Sequence, residues 1–191
     1  MIDDTTANHA GGGVAGVTLG VVLITARLCP TRPGVKGYTR HFSQQGGKMT
    51  SHPNFDRAQA ILDASRRGDY APAFDNFADD IVMENGPGAG PWHRGSGKDD
   101  LALMLLELAG SFGDTFHQDG RCVYADDRVS ISLIHETGTA PGGDQFDNLA
   151  VYVGRLRPDG TTERLWTVDL DAEHCEAFWE KNPATPSKDF S

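Results

Sequence analysis

The sequence predicts an α+β domain in which a curved antiparallel sheet wraps around helices. Residues 116–170 contain stretches of alternating apolar residues, each closed by a cluster of turn residues, which is typical of an antiparallel meander. The expected strands are 116–125, 128–139, 145–157 and 161–170. The residues before this region show the apolar spacing of amphipathic helices. Because helices precede the strands rather than alternate with them, the order favours an α+β fold.

The helical half of the domain begins near Pro53. A first short helix carries its apolar side chains on one face, and Asp69 is expected to cap a second helix that carries Phe74. A short strand at 81–84 follows. It leads into a loop at 85–91 that consists mostly of glycine and proline and therefore excludes regular structure.

The longest expected helix begins at Ser96, where Asp99 would complete a capping box. Its apolar side chains recur every three or four residues and form a continuous stripe: Leu101, Met104, Leu105, Leu108 and Phe112. After the sheet, Asp171 is expected to cap a last short helix.

The domain is expected to span residues 53–182, between an N-terminal segment, 1–48, and a tail, 183–191. The apolar run in the N-terminal segment, 14–28, is shorter than the roughly 20 residues of a membrane span and lacks the preceding positive charges of a secretory signal. Association with a membrane is therefore not expected. We interpret residues 1–48 as a disordered or spurious extension and expect translation to begin at Met49.

Charge and cysteine content restrict the possible partners. The chain has a net charge of −10, and its acidic residues lie almost entirely after residue 48. Such a body repels phosphate backbones, so binding to nucleic acid is not expected. Three cysteines, Cys29, Cys122 and Cys175, form no paired motif and no metal-binding pattern. This sparse, odd number indicates a reducing compartment and favours a cytoplasmic location.

The order of these features resembles the NTF2-like (nuclear transport factor 2-like) superfamily, and most closely its SnoaL-like branch, which is named for polyketide cyclases. The resemblance covers about 54–182 and rests on the order of several features: the helix-turn-helix opening, the segments 77–82, 86–88, 124–129 and 163–166, Gly95, Gly160, and Asp169 or Asp171. It implies a cone in which the helices pack in the concave face of the sheet and a hydrophobic small molecule binds in the mouth. It also implies a homodimer that pairs through the outer sheet face and the absence of a metal or organic cofactor.

Two polar residues are the expected catalytic groups. If the apolar faces of the strands turn inward, His135 and Asp147 lie on the inner face, on either side of the turn at 139–144. SnoaL-type cyclases resemble this arrangement, which implies Asp147 as the base and His135 as its partner. A desolvated carboxylate can take a proton from a carbon next to a carbonyl. Alternatively, Asp147 only ends the turn and His135 is a structural histidine.

The remaining pocket is expected to be apolar and aromatic. Its expected lining residues are Tyr70, Phe74, Trp92, Leu133, Leu149, Trp166 and Val168. Glu136 falls on the face opposite His135 and is expected to be solvated or at an interface. The epoxide-hydrolase pattern fails because Val168 stands where that family has an aspartate. A ketosteroid-isomerase-like clamp is not expected, because Tyr70 could supply a phenol but no second acid accompanies it.

These features favour a small cofactor-free enzyme of the cyclase or isomerase type, acting on a hydrophobic carbonyl compound. Two alternatives remain open at this point. One is a non-catalytic domain that binds an apolar small molecule, and the other is a domain that mediates dimerisation or another interaction.

Overall fold

The computed structural model describes residues 52–190, so the expected extension, residues 1–48, lies outside the described residues. Within this range the α-helices are α1 (Pro53–Ser65), α2 (Ala71–Asn76), α3 (Lys98–Gly110) and α4 (Ala172–Lys181). The strands are β1 (Phe77–Glu84), β2 (Arg94–Ser96), β3 (His117–Ala125), β4 (Val129–Thr139), β5 (Gln145–Leu156) and β6 (Thr162–Asp169). None of these helices combines the length and apolar composition that a membrane crossing requires.

All six strands belong to one sheet in the order β2-β1-β6-β5-β4-β3. Strands β3 to β6 form the expected antiparallel meander. The sheet is nevertheless mixed, because β1 pairs with β6 in parallel. The expected α+β fold is therefore confirmed, and its sheet has one parallel junction between β1 and β6. At this junction β1, the first strand in the chain, lies beside β6, the last one.

The start of α4 agrees with the sequence, and the starts of α2 and α3 differ from it. Asp171 caps α4, as expected, and its carboxylate accepts a hydrogen bond from the backbone N–H of His174. The residue that caps α2 is Tyr70 and not Asp69, whose carboxylate accepts a hydrogen bond of 3.3 Å from the backbone N–H of Ala71. The capping box at Ser96 is wrong, because Ser96 pairs with Val82 as part of β2. Its backbone N–H donates to the carboxylate of Asp100 at 3.1 Å.

The face of the sheet that turns towards the helices is the opposite of the expected one. Along β4 the buried positions include Ile134 and Glu136, and along β5 they include Phe146, Asn148 and Ala150. Residues between these positions point outward and are half-buried or exposed. Because side chains alternate along a strand, this reversal moves every predicted inward residue of β4, β5 and β6 to the outer face.

The segment after α4 packs against the domain. Phe190 is only 2 % exposed and joins an aromatic cluster that includes Trp92 and Trp179. Its carbonyl accepts a hydrogen bond of 2.7 Å from the backbone N–H of Arg94. The backbone N–H of Ser187 donates to a carboxylate oxygen of Glu107 on α3. The C-terminal segment therefore closes the end of the cone where β2 and α3 meet.

Candidate functional site

Two adjoining cavities lie between the helices and the inner face of the sheet. The larger has a volume of about 160 Å³ and is lined by α1, α2, α3 and the inner residues of β3 to β6. The smaller has a volume of about 50 Å³ and lies nearer to the loop at 85–91 and to Trp92. Both cavities are lined by Met83, Leu101, Leu105 and Tyr152. The side chain of Tyr152 therefore stands at the boundary between the two cavities.

The smaller cavity has a buried carboxyl group in its wall. Glu136, on β4, is 3 % exposed. Its Oε1 accepts hydrogen bonds from the Tyr152 hydroxyl at 2.7 Å and from the Gln118 amide at 2.9 Å. Its Oε2 accepts a hydrogen bond of 3.1 Å from the side-chain amide of Asn148. Glu136 and Asn148 are direct partners in the register of β4 and β5, so the sheet itself holds them together.

A second carboxylate is linked to the first through the same amide. The Nδ2 of Asn148 also donates to Oδ1 of Asp169 at 2.8 Å. The other oxygen of Asp169 accepts a hydrogen bond of 2.7 Å from the backbone N–H of Gly88. A Cβ at Gly88 would lie 2.3 Å from both Asn148 Nδ2 and Asp169 Oδ1, so only glycine allows this close approach. The glycine-proline loop thus packs against Asn148 and Asp169 and fixes the position of the Asp169 carboxylate.

Burial raises the pKa values of Glu136 and Tyr152. It raises the pKa of Glu136 above the ordinary glutamate value, against the lowering effect of the hydrogen bonds from Tyr152, Gln118 and Asn148. Burial and the neighbouring Glu136 raise the pKa of Tyr152 well above that of a solvated phenol. Burial also raises the pKa of Tyr70, which lines the larger cavity. The two phenols therefore remain hydrogen-bond donors at neutral pH, and Glu136 is a better base than a solvated carboxylate.

A buried thiol contacts the Asn148 side chain. Cys175, on α4, is fully buried and its sulfur lies 3.5 Å from Oδ1 of Asn148. Burial, with several nearby carboxylates, raises the pKa of this thiol to about 12. The thiol is therefore protonated at neutral pH and helps to orient the Asn148 amide. Among residues 52–190, no group of three or more His, Cys, Asp or Glu side chains is arranged to hold a metal ion.

Trp92 is one of the predicted pocket residues, and it lines the smaller cavity. Its ring is 2 % exposed and packs edge-to-face against Trp179 with centroids 5.8 Å apart. Its indole N–H donates to Oε2 of Glu107 at 2.7 Å. Tyr70 and Phe74, also predicted, line the larger cavity. These three aromatic residues are the part of the predicted pocket that the structure brings to the cavities.

The expectation that His135 and Asp147 face the pocket is wrong. The two side chains do contact each other, with His135 Nε2 2.7 Å from Asp147 Oδ1. They do so on the outer face, where their side chains are 48 % and 70 % exposed. Neither residue lines either of the two cavities inside the cone. The other predicted pocket residues that lie on this outer face are Leu133, Leu149, Trp166 and Val168.

Sequence reasoning missed the inner polar group, although a signal for it was present. The turn between β4 and β5 sets a register in which Glu136 lies opposite Asn148, just as it brings His135 near Asp147. The inner neighbours of the first pair are Phe146 and other apolar side chains. A carboxyl and an amide paired within an apolar surface mark a buried polar site. The expectation that Glu136 is solvated or at an interface is therefore wrong.

Comparison with known proteins shows the fold. No protein-family model and no curated protein matches the chain. Among solved structures, Bal32a, from a soil-derived mobile gene cassette, matches with a TM-score of 0.59 and 17% identity over 66% of this chain and 95% of its own. An NTF2-like protein of unknown function from Burkholderia pseudomallei matches with a TM-score of 0.54 and 16% identity over 69% and 98%. IdmH from Streptomyces antibioticus, a candidate polyketide cyclase, matches with a TM-score of 0.50 and 19% identity over 63% and 94%. The chain therefore has the NTF2-like fold, which it shares with a candidate polyketide cyclase.

Proposed function

We propose that the protein is a cofactor-free enzyme of the cyclase or isomerase type, which transfers a proton within a hydrophobic, carbonyl-bearing small molecule bound in the cone. The observation that carries this proposal is the buried carboxyl of Glu136, which lines the smaller cavity and receives the Tyr152 hydroxyl at 2.7 Å. The apolar lining of the larger cavity fits the hydrophobic body of such a molecule.

Glu136 is the proposed base. A carboxyl whose pKa is raised by burial can take a proton from a carbon next to a carbonyl near neutral pH. The carbon–hydrogen bond breaks, the proton moves to Glu136, and the electron pair moves to the carbonyl oxygen as an enolate. Return of that proton to another carbon gives an isomer. Attack of the enolate carbon on a second carbonyl of the same molecule forms a ring, and the resulting alkoxide takes the proton back from Glu136.

Tyr152 is the proposed partner of the enolate. While Glu136 is ionised, the Tyr152 hydroxyl donates to it. Once Glu136 is protonated, that carboxyl is a weaker acceptor, and the phenol can donate to the enolate oxygen instead. The raised pKa of Tyr152 keeps this donor protonated throughout. Because Tyr152 lines both cavities, its hydroxyl is placed at the boundary that a bound carbonyl would reach.

A binding protein without turnover is the second candidate. Within residues 52–190, every buried side-chain nitrogen and oxygen already has a hydrogen-bond partner. Both oxygens of Glu136 are occupied by protein donors. A polar group that is fully satisfied without a ligand is also what a purely structural network requires. This second candidate keeps the apolar small molecule as the ligand and omits the proton transfer.

We also propose that the protein is a homodimer that pairs through the outer sheet face. Leu149 and Val168 are 39% and 54% exposed there. Apolar side chains at Ile131, Leu133 and Val151 lie beside them, each half-buried. A continuous apolar sheet face of this kind is normally covered by a partner.

Deuterium uptake at the carbons next to a ketone separates the two candidates. With the full chain and 2-tetralone in D2O, NMR should show exchange faster than in buffer alone. Glu136→Gln should lower that rate by about 100-fold while leaving binding of 2-tetralone, measured by calorimetry, within a factor of about two. His135→Ala should leave the rate unchanged. If the wild type binds 2-tetralone without exchange, the result favours the binding protein. If exchange is lost in His135→Ala and not in Glu136→Gln, the proton transfer takes place on the outer face.

A further inference from the structure

The end of the larger cavity farthest from Glu136 carries a positive charge that the proposed chemistry does not use. Among the described residues that line this cavity, Arg57 on α1 is the only one with a charged side chain. Its Nη1 donates to the backbone oxygen of Asp159 at 3.1 Å, in the turn between β5 and β6. A guanidinium has five N–H donors, so most of them remain available to a ligand.

Some arginines of the domain are paired with carboxylates of the described residues, and Arg57 is not. Arg157 contacts the carboxylates of Asp80 and Glu163, and Arg66 contacts those of Asp63 and Asp119. Arg57 makes no ion pair of this kind with any residue between 52 and 190. In a chain with 27 acidic and 17 basic residues, carboxylates are in excess. An arginine at a cavity that has no carboxylate partner is therefore available for an anion from outside the chain.

The local backbone makes room for this side chain. Gly160 has a φ of +82°, which favours glycine, and a Cβ there would lie 1.8 Å from Arg57 Nη1. The same position would be 2.7 Å from Oδ1 of Asn54, which also lines the cavity. The amide of Asn54 donates to the backbone oxygen of Asp126 at 2.9 Å, which fixes its orientation. Arg57 and Asn54 thus form a polar end of a cavity whose lining is mainly apolar.

The two polar ends are far apart. Ser130, Gly154 and Thr162 line the cavity near the turn that Arg57 contacts, and Ser130 pairs with Gly154. Ser130 and Glu136 lie on the same inner face of β4, six residues apart, which corresponds to roughly 20 Å along an extended strand. A ligand that reaches from Arg57 towards Tyr152 and Glu136 must therefore be elongated.

We propose that Arg57 makes the cavity specific for elongated apolar molecules that carry a carboxylate at the end opposite to the reacting carbonyl. The carboxylate binds the guanidinium, the apolar body fills the larger cavity, and the carbonyl end lies towards Tyr152. This orientation of the ligand rests on the proposed function, whereas the preference for an anion rests on Arg57 alone. Arg57 is thus a specificity-determining residue and takes no part in proton transfer.

Binding of two matched probes tests the preference. We compare 4-(2-naphthyl)butanoic acid with 4-(2-naphthyl)butan-1-ol by calorimetry, on the full chain near neutral pH. The acid should bind the wild type about tenfold more tightly than the alcohol. Arg57→Met should remove that difference by weakening the acid alone, and Arg57→Lys should retain part of it. Arg67→Met, which removes a charge that lies outside the cavity just after α1, should behave as the wild type.

The same measurements in Glu136→Gln separate this inference from the proposed function. If the preference for the acid persists in Glu136→Gln, and 2-tetralone shows no exchange in the wild type, the inference holds and the proposed proton transfer fails. If exchange occurs but the acid and the alcohol bind equally, the proton transfer holds and the inference fails. Equal weakening of both probes in Arg57→Met, or loss of the preference in Arg67→Met, would also overturn the inference. Failure of the wild type to bind either probe overturns the inference, whereas the proton transfer is judged by the exchange measurement with 2-tetralone.

Discussion

The hydroxyl of Tyr152 lies 2.7 Å from Oε1 of Glu136, although the two residues are not partners in the register of the sheet. Glu136 pairs with Asn148, and Tyr152 lies four residues farther along β5. The phenol must therefore lean along the inner face to reach the carboxyl. This contact connects the larger cavity to the buried carboxyl in the wall of the smaller one.

Removing the Tyr152 hydroxyl should raise the pKa of Glu136 further. The hydrogen bond from Tyr152 stabilises the ionised carboxylate and lowers its pKa, against the opposing effect of burial. In Tyr152→Phe the lowering contact is lost and the desolvation remains. Titration of the Glu136 carboxyl carbon by NMR should show a midpoint at higher pH than in the wild type. Tyr124→Phe, which removes a hydroxyl that contacts Asp126 on the surface, should leave that midpoint unchanged.

The acidity of Glu136 should also appear in the stability of the protein. Because the folded carboxyl keeps its proton to higher pH than the unfolded one, folding is favoured most below the unfolded pKa of about 4.3. The free energy of unfolding should fall as the pH rises from there through the folded pKa, with a limiting slope of about 1.4 kcal/mol per pH unit. Glu136→Gln lacks this pH-dependent contribution to the free energy of unfolding.

Urea unfolding of the wild type and Glu136→Gln at a series of pH values measures the difference. The variant should gain stability relative to the wild type as the pH rises through this window. Glu180→Gln, at an exposed position of α4, should follow the wild type. A difference between Glu136→Gln and the wild type that does not vary with pH would show that Glu136 titrates alike in the folded and unfolded chains.

The order of elements was predictable because local patterns determine it. The meander of β3 to β6 follows from alternation and turn residues, and the cap at Asp171 follows from short-range hydrogen bonding. The three residues of β2 give no such pattern. Their pairing with β1 depends on a contact across the glycine-proline loop.

The site was mispredicted because alternation alone does not say which face of a strand is buried. In β4 and β5 the outer face carries the more uniformly aliphatic set, including Leu133 and Val151. The inner face carries polar residues whose hydrogen bonds to one another offset the cost of their burial, such as Glu136 and Asn148. Counting apolar side chains therefore selected the wrong face, and it brought His135 into the predicted site.

The close approach of Gly88 to the polar group should be sensitive to a single methyl group. Gly88→Ala places a Cβ within 2.3 Å of Asn148 Nδ2 and Asp169 Oδ1, which must move apart. Disruption of this buried network should lower the free energy of unfolding by about 1–3 kcal/mol. Gly110→Ala is the matched control, because a Cβ there, at the end of α3, has no atom of the described residues within 4 Å. That variant should be neutral or up to about 1 kcal/mol more stable, so equal destabilisation of the two would contradict the role of Gly88.

The outer face should determine the oligomeric state. If two copies pair through this face, Val168→Lys places a charge in the apolar contact and should convert a dimer into a monomer, measured by sedimentation equilibrium. Leu106→Lys tests the same change at a similarly exposed apolar residue on α3, away from the sheet, and should leave the dimer intact. Because Val168 points away from both cavities, the monomeric variant should still bind 2-tetralone. A monomeric wild type would contradict the proposed dimer, because the outer aliphatic face of β4, β5 and β6 would then not be covered by a second copy of the chain.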